Sequence, residues 1–407
     1  MTTSSPRQVV PDSGMGLYVH VPFCKTKCPY CDFNTYQGIE DLIEPFLPAL
    51  TSEIERWGDT LAHPAVKSIF FGGGTPSYLP KGDIEKILGS IQASFKVAPN
   101  AEITIEANPG DLDAAACAGI LDQGVNRLSI GVQSLDNDLL NLLGRRHQAS
   151  EAVEAFESAR QAGFDNVNLD LMYGLPNQSM DQWRQTLDSL IGLAPEHISL
   201  YALGIEEGTP LHRWLEDGKI SEPDSDLAAD MYQYARESLA ASGYHHYEIS
   251  NWSLPGRACE HNVIYWENGP YLGVGPGAHS HLGDYRFWTV LSPREYNAKA
   301  SGWAAADIHP ISELVEAALE NVPTLGSWEH LSLEITCSET MFLGLRLLDG
   351  LDLSEASKLT GVHLAKKFQA PIQECIDLGL LEQDSDCLKL TKPAYLIANQ
   401  AFTRFLE

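Results

Sequence analysis

Short apolar runs rich in β-branched residues alternate with amphipathic stretches between residues 16 and 203. This alternation is typical of repeated βα units, which build a parallel sheet. Six strands are predicted at residues 17–21, 66–72, 102–108, 125–132, 166–173 and 197–203. Apolar residues at helical spacing predict helices over residues 39–57, 81–95, 114–123, 151–162 and 180–193. Six parallel strands with right-handed crossovers predict an α/β fold, a partial (β/α)6 barrel that is open on one side.

The pattern changes after residue 203. Residues 204–310 are less regular and rich in Tyr, Trp, His and Gly, so we expect them to cover the open side of the barrel. From about residue 311 the pattern is helical, and residues 378–391 predict a β-hairpin, which together resemble a winged-helix module. The predicted division is a flexible tail over 1–15, a barrel over 16–243, a connecting region over 244–310 and a C-terminal helical domain over 311–407.

The charge balance excludes some classes of partner. Lys and Arg number 27 against 55 Asp and Glu, so nucleic acid and anionic lipid surfaces would be repelled. Acidic residues also outnumber basic ones over residues 340–407, which argues against a DNA-binding winged helix. The chain has neither a run of about 20 apolar residues nor a secretory signal, so we expect a cytoplasmic protein without a membrane segment. The sequence leaves open whether the chain forms a homodimer.

Three of the eight cysteines lie in one loop, in a C-x3-C-x2-C pattern directly after the first predicted strand. Iron–sulfur clusters are held by thiolates, normally four. Three thiolates would leave one iron without a protein ligand, where a substrate or cofactor binds. Cys24, Cys28 and Cys31 are therefore predicted to hold a [4Fe–4S] cluster. The alternatives are a zinc site that recruits His20 and three buried thiols without a metal.

Polar or Gly-rich motifs recur at the carboxyl ends of successive predicted strands, the face at which barrel enzymes place their sites. The second strand is followed by GGGTPS at residues 72–77, the third ends at Glu106, the fourth runs into Gln133 and the fifth carries Asp170. Glycines allow backbone amides to approach a ligand closely. Each motif alone is also typical of an ordinary strand end, but together they place polar or Gly-rich residues at the same end of successive strands.

The cysteine spacing, with Tyr30 before Cys31, resembles the loop of the radical S-adenosylmethionine (SAM) superfamily. This resemblance implies that the amino and carboxylate groups of SAM chelate the open iron and that Tyr30 packs near the adenine. The chain is further similar, over nearly its whole length, to the oxygen-independent coproporphyrinogen III oxidase family. The similar blocks are YVHVPFCKTKCPYCDF, FGGGTPSYL, TIEANPG, RLSIGVQS, LGRRH and NLDLMYGLP.

The same resemblance implies the positions of the SAM-binding residues. Besides Tyr30 they are Tyr18, Gly73, Gly74, Thr75, Glu106, Gln133, Arg145 and Asp170. A guanidinium suits a carboxylate, although Arg145 is also typical of a surface charge at a helix end.

Two departures from the oxidases indicate a sister branch, the HemW-type heme chaperones. Phe33 stands where the oxidases have a further cysteine, and the tail ahead of the first predicted strand is short, whereas the oxidases carry an N-terminal extension. His261, Asn262, Tyr265 and Trp266 also form the H-N-x-x-Y-W pattern associated with this branch. The resemblance implies heme bound by His261, with Tyr265 and Trp266 as apolar walls. His261 as a packing residue, and His279 or His281 as the iron ligand, remain alternatives.

Two functions follow from these expectations. The first is a heme chaperone that binds heme and transfers it to an acceptor protein, with cluster and SAM controlling the transfer. The second is an enzyme, a radical SAM decarboxylase of coproporphyrinogen III. Its four substrate carboxylates would demand a basic site, for which the sequence offers Arg127, Arg145, Arg146 and Arg257.

Overall fold

The computed structural model describes residues 9–301, 319 and 321–406. Its central feature is a run of six parallel strands whose residues are mostly buried. They are β1 (Met15–Val21), β2 (Ala65–Gly73), β3 (Lys96–Ala107), β4 (Arg127–Gln133), β5 (Val167–Tyr173) and β6 (His197–Ala202), and they pair in this order. Helices α1 (Ile43–Thr60), α2 (Asp83–Ser94), α3 (Ala114–Asp122), α4 (Asn137–Leu142), α5 (Ala149–Ala162) and α6 (Met180–Gly192) connect them. The predicted partial barrel is confirmed.

Local sequence explains where several of these helices begin. Asp113 accepts a hydrogen bond from the Ala116 amide at 2.7 Å, and Ser179 forms a capping box with Gln182. Such caps satisfy amides that have no partner inside the helix. The predicted strands match within two residues, except that β3 begins at Lys96 rather than at residue 102.

Further strands, most of them antiparallel to their neighbours, extend the sheet beyond both edges of these six strands. The next elements are α7 (Pro210–Glu216), α8 (Ser225–Ala241), β7 (His245–Glu248), β8 (Asn251–Ser253), α9 (Glu260–Trp266), β9 (Tyr271–Val274), β10 (His279–Leu282), β11 (Tyr285–Thr289), α10 (Pro293–Ala300) and β12 (Leu325–His330). β9 pairs parallel to β1 and is followed by β10, β11 and β12, while β8 and β7 extend β6. Among the described residues these form one twelve-stranded sheet.

The C-terminal elements have their own apolar core, which includes Cys375, Leu388 and Phe405. They are α11 (Leu333–Gly344), β13 (Leu351–Asp352), α12 (Leu353–Thr360), α13 (Leu364–Lys367), α14 (Gln369–Asp377), β14 (Leu381–Asp384), β15 (Cys387–Leu390) and α15 (Asn399–Phe402). β14 and β15 form the predicted hairpin, and β13 adds a third strand. Helices followed by this small sheet are the expected winged-helix-like arrangement.

The structure corrects two expectations about the chain outside the barrel. Residues 325–330 form a strand rather than a helix, since they pair with β11, and residues 302–318 and 320 lie outside the described part. Residues 1–8 also lie outside it, whereas Val9 is buried and Met15 begins β1, ahead of the predicted boundary at residue 16. The domain boundaries at residues 243 and 310 stay a prediction. None of the described helices combines the length and apolarity needed to cross a membrane.

Candidate functional site

The cysteine loop follows the carboxyl end of β1 and is closed by its own backbone. The amide of Cys24 donates to the carbonyl of Tyr36 at 2.8 Å, and the amide of Tyr36 donates to the carbonyl of Pro22 at 2.8 Å. Lys27 Nζ donates to the carbonyls of Phe33 and Thr35 at 2.9 and 3.0 Å. These bonds hold all three cysteines at the face of the barrel predicted from the sequence.

Cys24, Cys28 and Cys31 line one cavity of about 550 Å³, which we call the cysteine cavity. Each sulfur lies near a polar group: Thr75 Oγ1 is 3.6 Å from Cys24, Arg145 Nη1 is 3.6 Å from Cys28, and Thr35 Oγ1 is 3.8 Å from Cys31. Burial raises the pKa of the Cys24 and Cys31 thiols, so a thiolate there gains from a bound cation. Within the described residues, no group of three or more His, Cys, Asp or Glu is arranged to hold a single metal ion.

The glycine turn after β2 forms the adjoining wall. Gly73 has a φ of +105°, and a Cβ there would lie 2.5 Å from the His20 ring. A Cβ on Gly74 would lie 2.7 Å from the carbonyl oxygen of Phe23. Only glycine fits such close approaches, which bring backbone amides to the cavity. The Gly73 amide donates to Glu106 Oε2 at 3.2 Å, and Thr75 lies next to it on the same wall.

Carboxyl and amide groups from three neighbouring strands converge on this cavity, as the repeated strand-end motifs predict. Glu106, Gln133 and Asp170 all line it. Burial and the charge of Asp170 raise the pKa of Glu106 to about 8. Burial also raises the pKa of Asp170, although Asn168 and Ser129 donate hydrogen bonds to it at 2.8 and 3.2 Å. Two acidic groups in one enclosed site favour a ligand that carries positive charge or donates hydrogen bonds.

Arg145 reaches into the cysteine cavity, so the alternative of a surface charge is wrong. Its guanidinium donates to the carbonyl of Gly131 at 2.7 Å and to Asn108 Oδ1, in addition to its contact with Cys28. Tyr30 lines the same cavity and packs against the cluster of Leu139, Leu143, Met172 and Leu175. A guanidinium and an aromatic ring therefore lie together in the site where the resemblance places SAM.

Several residues of this cavity were not predicted. Asn108 donates to Thr75 Oγ1 at 3.0 Å and accepts from Arg145, so it joins the two walls. It lies two residues after Glu106, and this period-2 spacing at a strand end was the signal that could have found it. Tyr18, expected among the SAM-binding residues, lines a second cavity that adjoins this one.

The second cavity, of about 690 Å³, shares Phe33, Gly73 and Glu106 with the cysteine cavity. We call it the aromatic cavity because of its walls. It is lined by Tyr18, Tyr265, Trp266, Tyr271, Leu291 and Leu343, and also by His20, His279, His281 and Arg286. The Trp266 ring stacks against the Arg346 guanidinium at 4.2 Å, and its Nε1 is buried without a hydrogen-bond partner among the described residues.

His261 occupies a different place from that expected of an iron ligand. It is 1 % exposed and lines neither cavity. Its Nδ1 lies 2.9 Å from Ser68 Oγ and its Nε2 lies 2.9 Å from Tyr265 Oη, so both ring nitrogens are engaged. The ring stacks on Phe70 at 5.3 Å. The structure therefore supports the alternative that His261 is a hydrogen-bonded packing residue that holds Tyr265 at the cavity.

The four arginines considered for a porphyrin carboxylate site do not all converge on one site. Arg127 is 2 % exposed and lies 3.8 Å from Glu102. Arg146 pairs with Asp111, and Arg257 pairs with Asp165 at 3.1 Å. Only Arg127 and Arg145 line the cysteine cavity. Arg127, Arg146 and Arg257 each have a carboxylate neighbour, and the four arginines form no common basic surface.

Comparison with known proteins agrees with this arrangement. The sequence model of the radical SAM superfamily matches residues 18–190, and that of the HemN C-terminal domain matches residues 331–397. The chain is 32 % identical to the Bacillus subtilis protein named heme chaperone HemW over 390 residues, 96 % of this chain and 98 % of that protein. The chain belongs to the HemW family. A Mycobacterium tuberculosis member of the HemW family is 35 % identical over 393 residues, 96 % of this chain and 94 % of that protein.

A solved structure supports the fold of this HemW-family chain. Coproporphyrinogen III oxidase (HemN) from Escherichia coli, described as a radical SAM enzyme, superimposes with a TM-score of 0.80 at 22 % identity. The match covers 99 % of this chain and 91 % of that one. The radical SAM fold expected from the sequence is therefore confirmed. The match to the HemN C-terminal domain model supports the expected relation to the oxidases.

Proposed function

We propose that the chain is a heme chaperone. It binds heme in the aromatic cavity, carries a [4Fe–4S] cluster on Cys24, Cys28 and Cys31 with exchangeable SAM, and transfers heme to an acceptor protein. The observation that carries this proposal is that a cavity with three thiols shares a wall with a cavity of aromatic walls. The names of its HemW-family relatives support it.

The residues of the cysteine cavity suit a cluster and SAM. Three thiols, each near a donor, provide the ligands that an iron–sulfur cluster takes. When bound, such a cluster supplies a redox centre with one iron open to SAM. Around it, the Arg145 guanidinium can hold a carboxylate, and Glu106 and Asp170 can accept hydrogen bonds from an amino group or hydroxyls. Gln133 and Gly74 complete the polar wall, and Tyr30 offers a flat surface for an adenine.

The aromatic cavity suits a porphyrin. Its volume of about 690 Å³ lies within the range of about 300–1,000 Å³ typical of cofactor pockets. Tyr265 and Trp266 supply the flat apolar surfaces that a macrocycle needs, and the indole Nε1 of Trp266 is a donor without a protein partner among the described residues. Two residues of the H-N-x-x-Y-W pattern therefore form part of the wall of the aromatic cavity.

The charges of this cavity favour the chaperone over the oxidase. Its one described arginine, Arg286, donates to Glu329 at 2.9 Å and to Glu339 at 2.7 Å, so two carboxylates already neutralise it. Coproporphyrinogen carries four propionate groups, which would need unpaired cations. A winged-helix role on DNA is also disfavoured, because Lys358, Lys367, Lys389 and Arg404 pair with acidic neighbours.

The test is to incubate the anaerobically reconstituted chain with heme, and separately with coproporphyrinogen III, SAM and a reductant. We expect heme to remain bound through gel filtration and no vinyl product to form. A vinyl product would establish the oxidase reaction and overturn a function restricted to chaperoning. Loss of heme on the column would overturn the proposed heme chaperone.

A further inference from the structure

Three of the described histidines line the aromatic cavity, namely His20, His279 and His281. His20 has both ring nitrogens in hydrogen bonds, with Tyr18 Oη at 3.0 Å and with the carbonyl of Asn34 at 3.0 Å. His281 lines the same cavity but is only 4 % exposed, and its ring centroid lies 6.2 Å from that of Tyr271. Both rings are therefore buried, and His20 has no ring nitrogen left for an iron atom.

His279 differs from both. It is the first residue of β10 and is exposed, and its ring stacks on Trp288 with centroids 5.4 Å apart. Alternate residues of a strand share a face, so His279 lies on the face of β10 that carries His281 into the cavity. Ser280 points the other way and accepts a hydrogen bond from the Gly273 amide at 2.9 Å.

The glycine-rich turn before β10 fixes His279 relative to the cysteine loop. A Cβ on Gly275 would lie 2.4 Å from the carbonyl oxygen of His20, and a Cβ on Gly277 would lie 2.4 Å from Asn34 Nδ2. Asn34 Nδ2 also donates to the carbonyls of Pro276 and Leu291, at 2.9 and 3.0 Å. The turn is therefore docked on residues close to Cys31, and His279 lies on a rigid support.

We propose that His279 is the axial ligand of the heme iron, and that His261 acts only through Tyr265. This assignment rests on the proposed function, because it presupposes heme in the aromatic cavity. The porphyrin would lie against Tyr265 and Trp266 with its iron toward the mouth, where His279 and the exposed Phe33 and Leu291 lie. Coordination is a ligand exchange: one imidazole nitrogen lone pair bonds the iron and a weak ligand such as water leaves, with no change of oxidation state.

The exposed position of His279 at the mouth of the aromatic cavity also suits the release of heme. An axial ligand that solvent and a partner protein can reach is exchanged for a ligand of the acceptor without opening the fold. A buried ligand such as His261 would first have to break its bonds to Ser68 and Tyr265.

The test is a heme titration of the full-length reconstituted chain, followed by absorption and resonance Raman spectra of the ferric complex. We compare the wild type with His279→Ala, His279→Met, His281→Ala and His261→Ala. Loss of an axial ligand should weaken heme binding by at least about 10-fold and remove the imidazole signature in His279→Ala. Free imidazole should restore that signature, and His279→Met should show a thioether-ligated spectrum, which a change in packing would not produce.

His281→Ala and His261→Ala should keep the wild-type ligand signature, whatever their affinity. A wild-type spectrum in both His279 variants would overturn the assignment while leaving the proposed heme chaperone standing. Loss of the imidazole signature in His261→Ala, with His279→Ala unchanged, would overturn it in favour of His261. A wild-type chain that retains no heme would instead overturn the proposed function, and the ligand assignment with it.

Discussion

Replacing Glu53 by Gln should change how the stability of the protein depends on pH. Glu53 lies on α1, is fully buried, and accepts hydrogen bonds from Tyr296 Oη and Thr324 Oγ1, each at 2.6 Å, and from the Gly275 amide at 2.8 Å. The last bond holds the turn that carries His279. Tyr296 has a pKa raised well above its ordinary value, so Glu53 is the group of this cluster that titrates near neutral pH.

Burial raises the pKa of Glu53 from 4.5 to about 7, against the lowering effect of its three hydrogen bonds. Between these values the folded protein keeps a proton that the unfolded chain has released, so the free energy of unfolding falls as the pH rises. The stabilising effect is complete below pH 4.5 and is lost as the pH passes about 7. At about 1.4 kcal/mol per pH unit, this interval corresponds to about 3 kcal/mol.

The assay is urea unfolding of the wild type and of Glu53→Gln between pH 4.5 and pH 8.5, with Glu157→Gln on the exposed face of α5 as the control. The neutral amide cannot titrate, so Glu53→Gln should gain about 3 kcal/mol relative to the wild type across this range. The control should differ from the wild type by a constant amount. A difference between Glu53→Gln and the wild type that is flat with pH, or that falls as the pH rises, would refute this reasoning.

Three further predictions follow from the site. Cys28→Ser should leave two thiolates and lower the iron content after anaerobic reconstitution to less than half of the wild-type value by colorimetric assay; full iron content would contradict the cluster assignment. Gly74→Ala should cost about 1–3 kcal/mol in urea unfolding, since its Cβ would meet the Phe23 carbonyl, whereas Gly89→Ala, with open space around it, should gain up to about 1 kcal/mol. Arg145→Lys keeps the positive charge but loses the paired N–H donors of the guanidinium, so calorimetry should show SAM binding weakened by about 10-fold. Unchanged affinity would place SAM elsewhere.

The barrel was predictable from the sequence because its strands are buried and its helices amphipathic, which gives each element a distinct periodicity. The first part of β3 was missed, since Lys96 to Asn100 carry no apolar alternation and become a strand by pairing with the start of β2. β12 was mistaken for part of a helical region because its strand pairing with β11 comes from tertiary structure.

The cysteine cavity was largely predictable, since parallel strands bring their carboxyl ends to one edge and so gather Glu106, Gln133 and Asp170. The role of His261 was not. Its burial depends on α9 packing over β1 and β2, where the absence of a side chain at Gly16 leaves room for the ring 3.1 Å from the Cβ position. A motif shows which residue types occur together, but it does not show which of them face a cavity.

The most direct test is the iron, sulfide and heme content of one protein peak, after anaerobic cluster reconstitution, addition of heme and gel filtration. A cluster on three cysteines beside a heme cavity predicts about four irons and four sulfides per chain in addition to co-eluting heme. A colourless peak without iron, or heme that elutes apart from the protein, would contradict it.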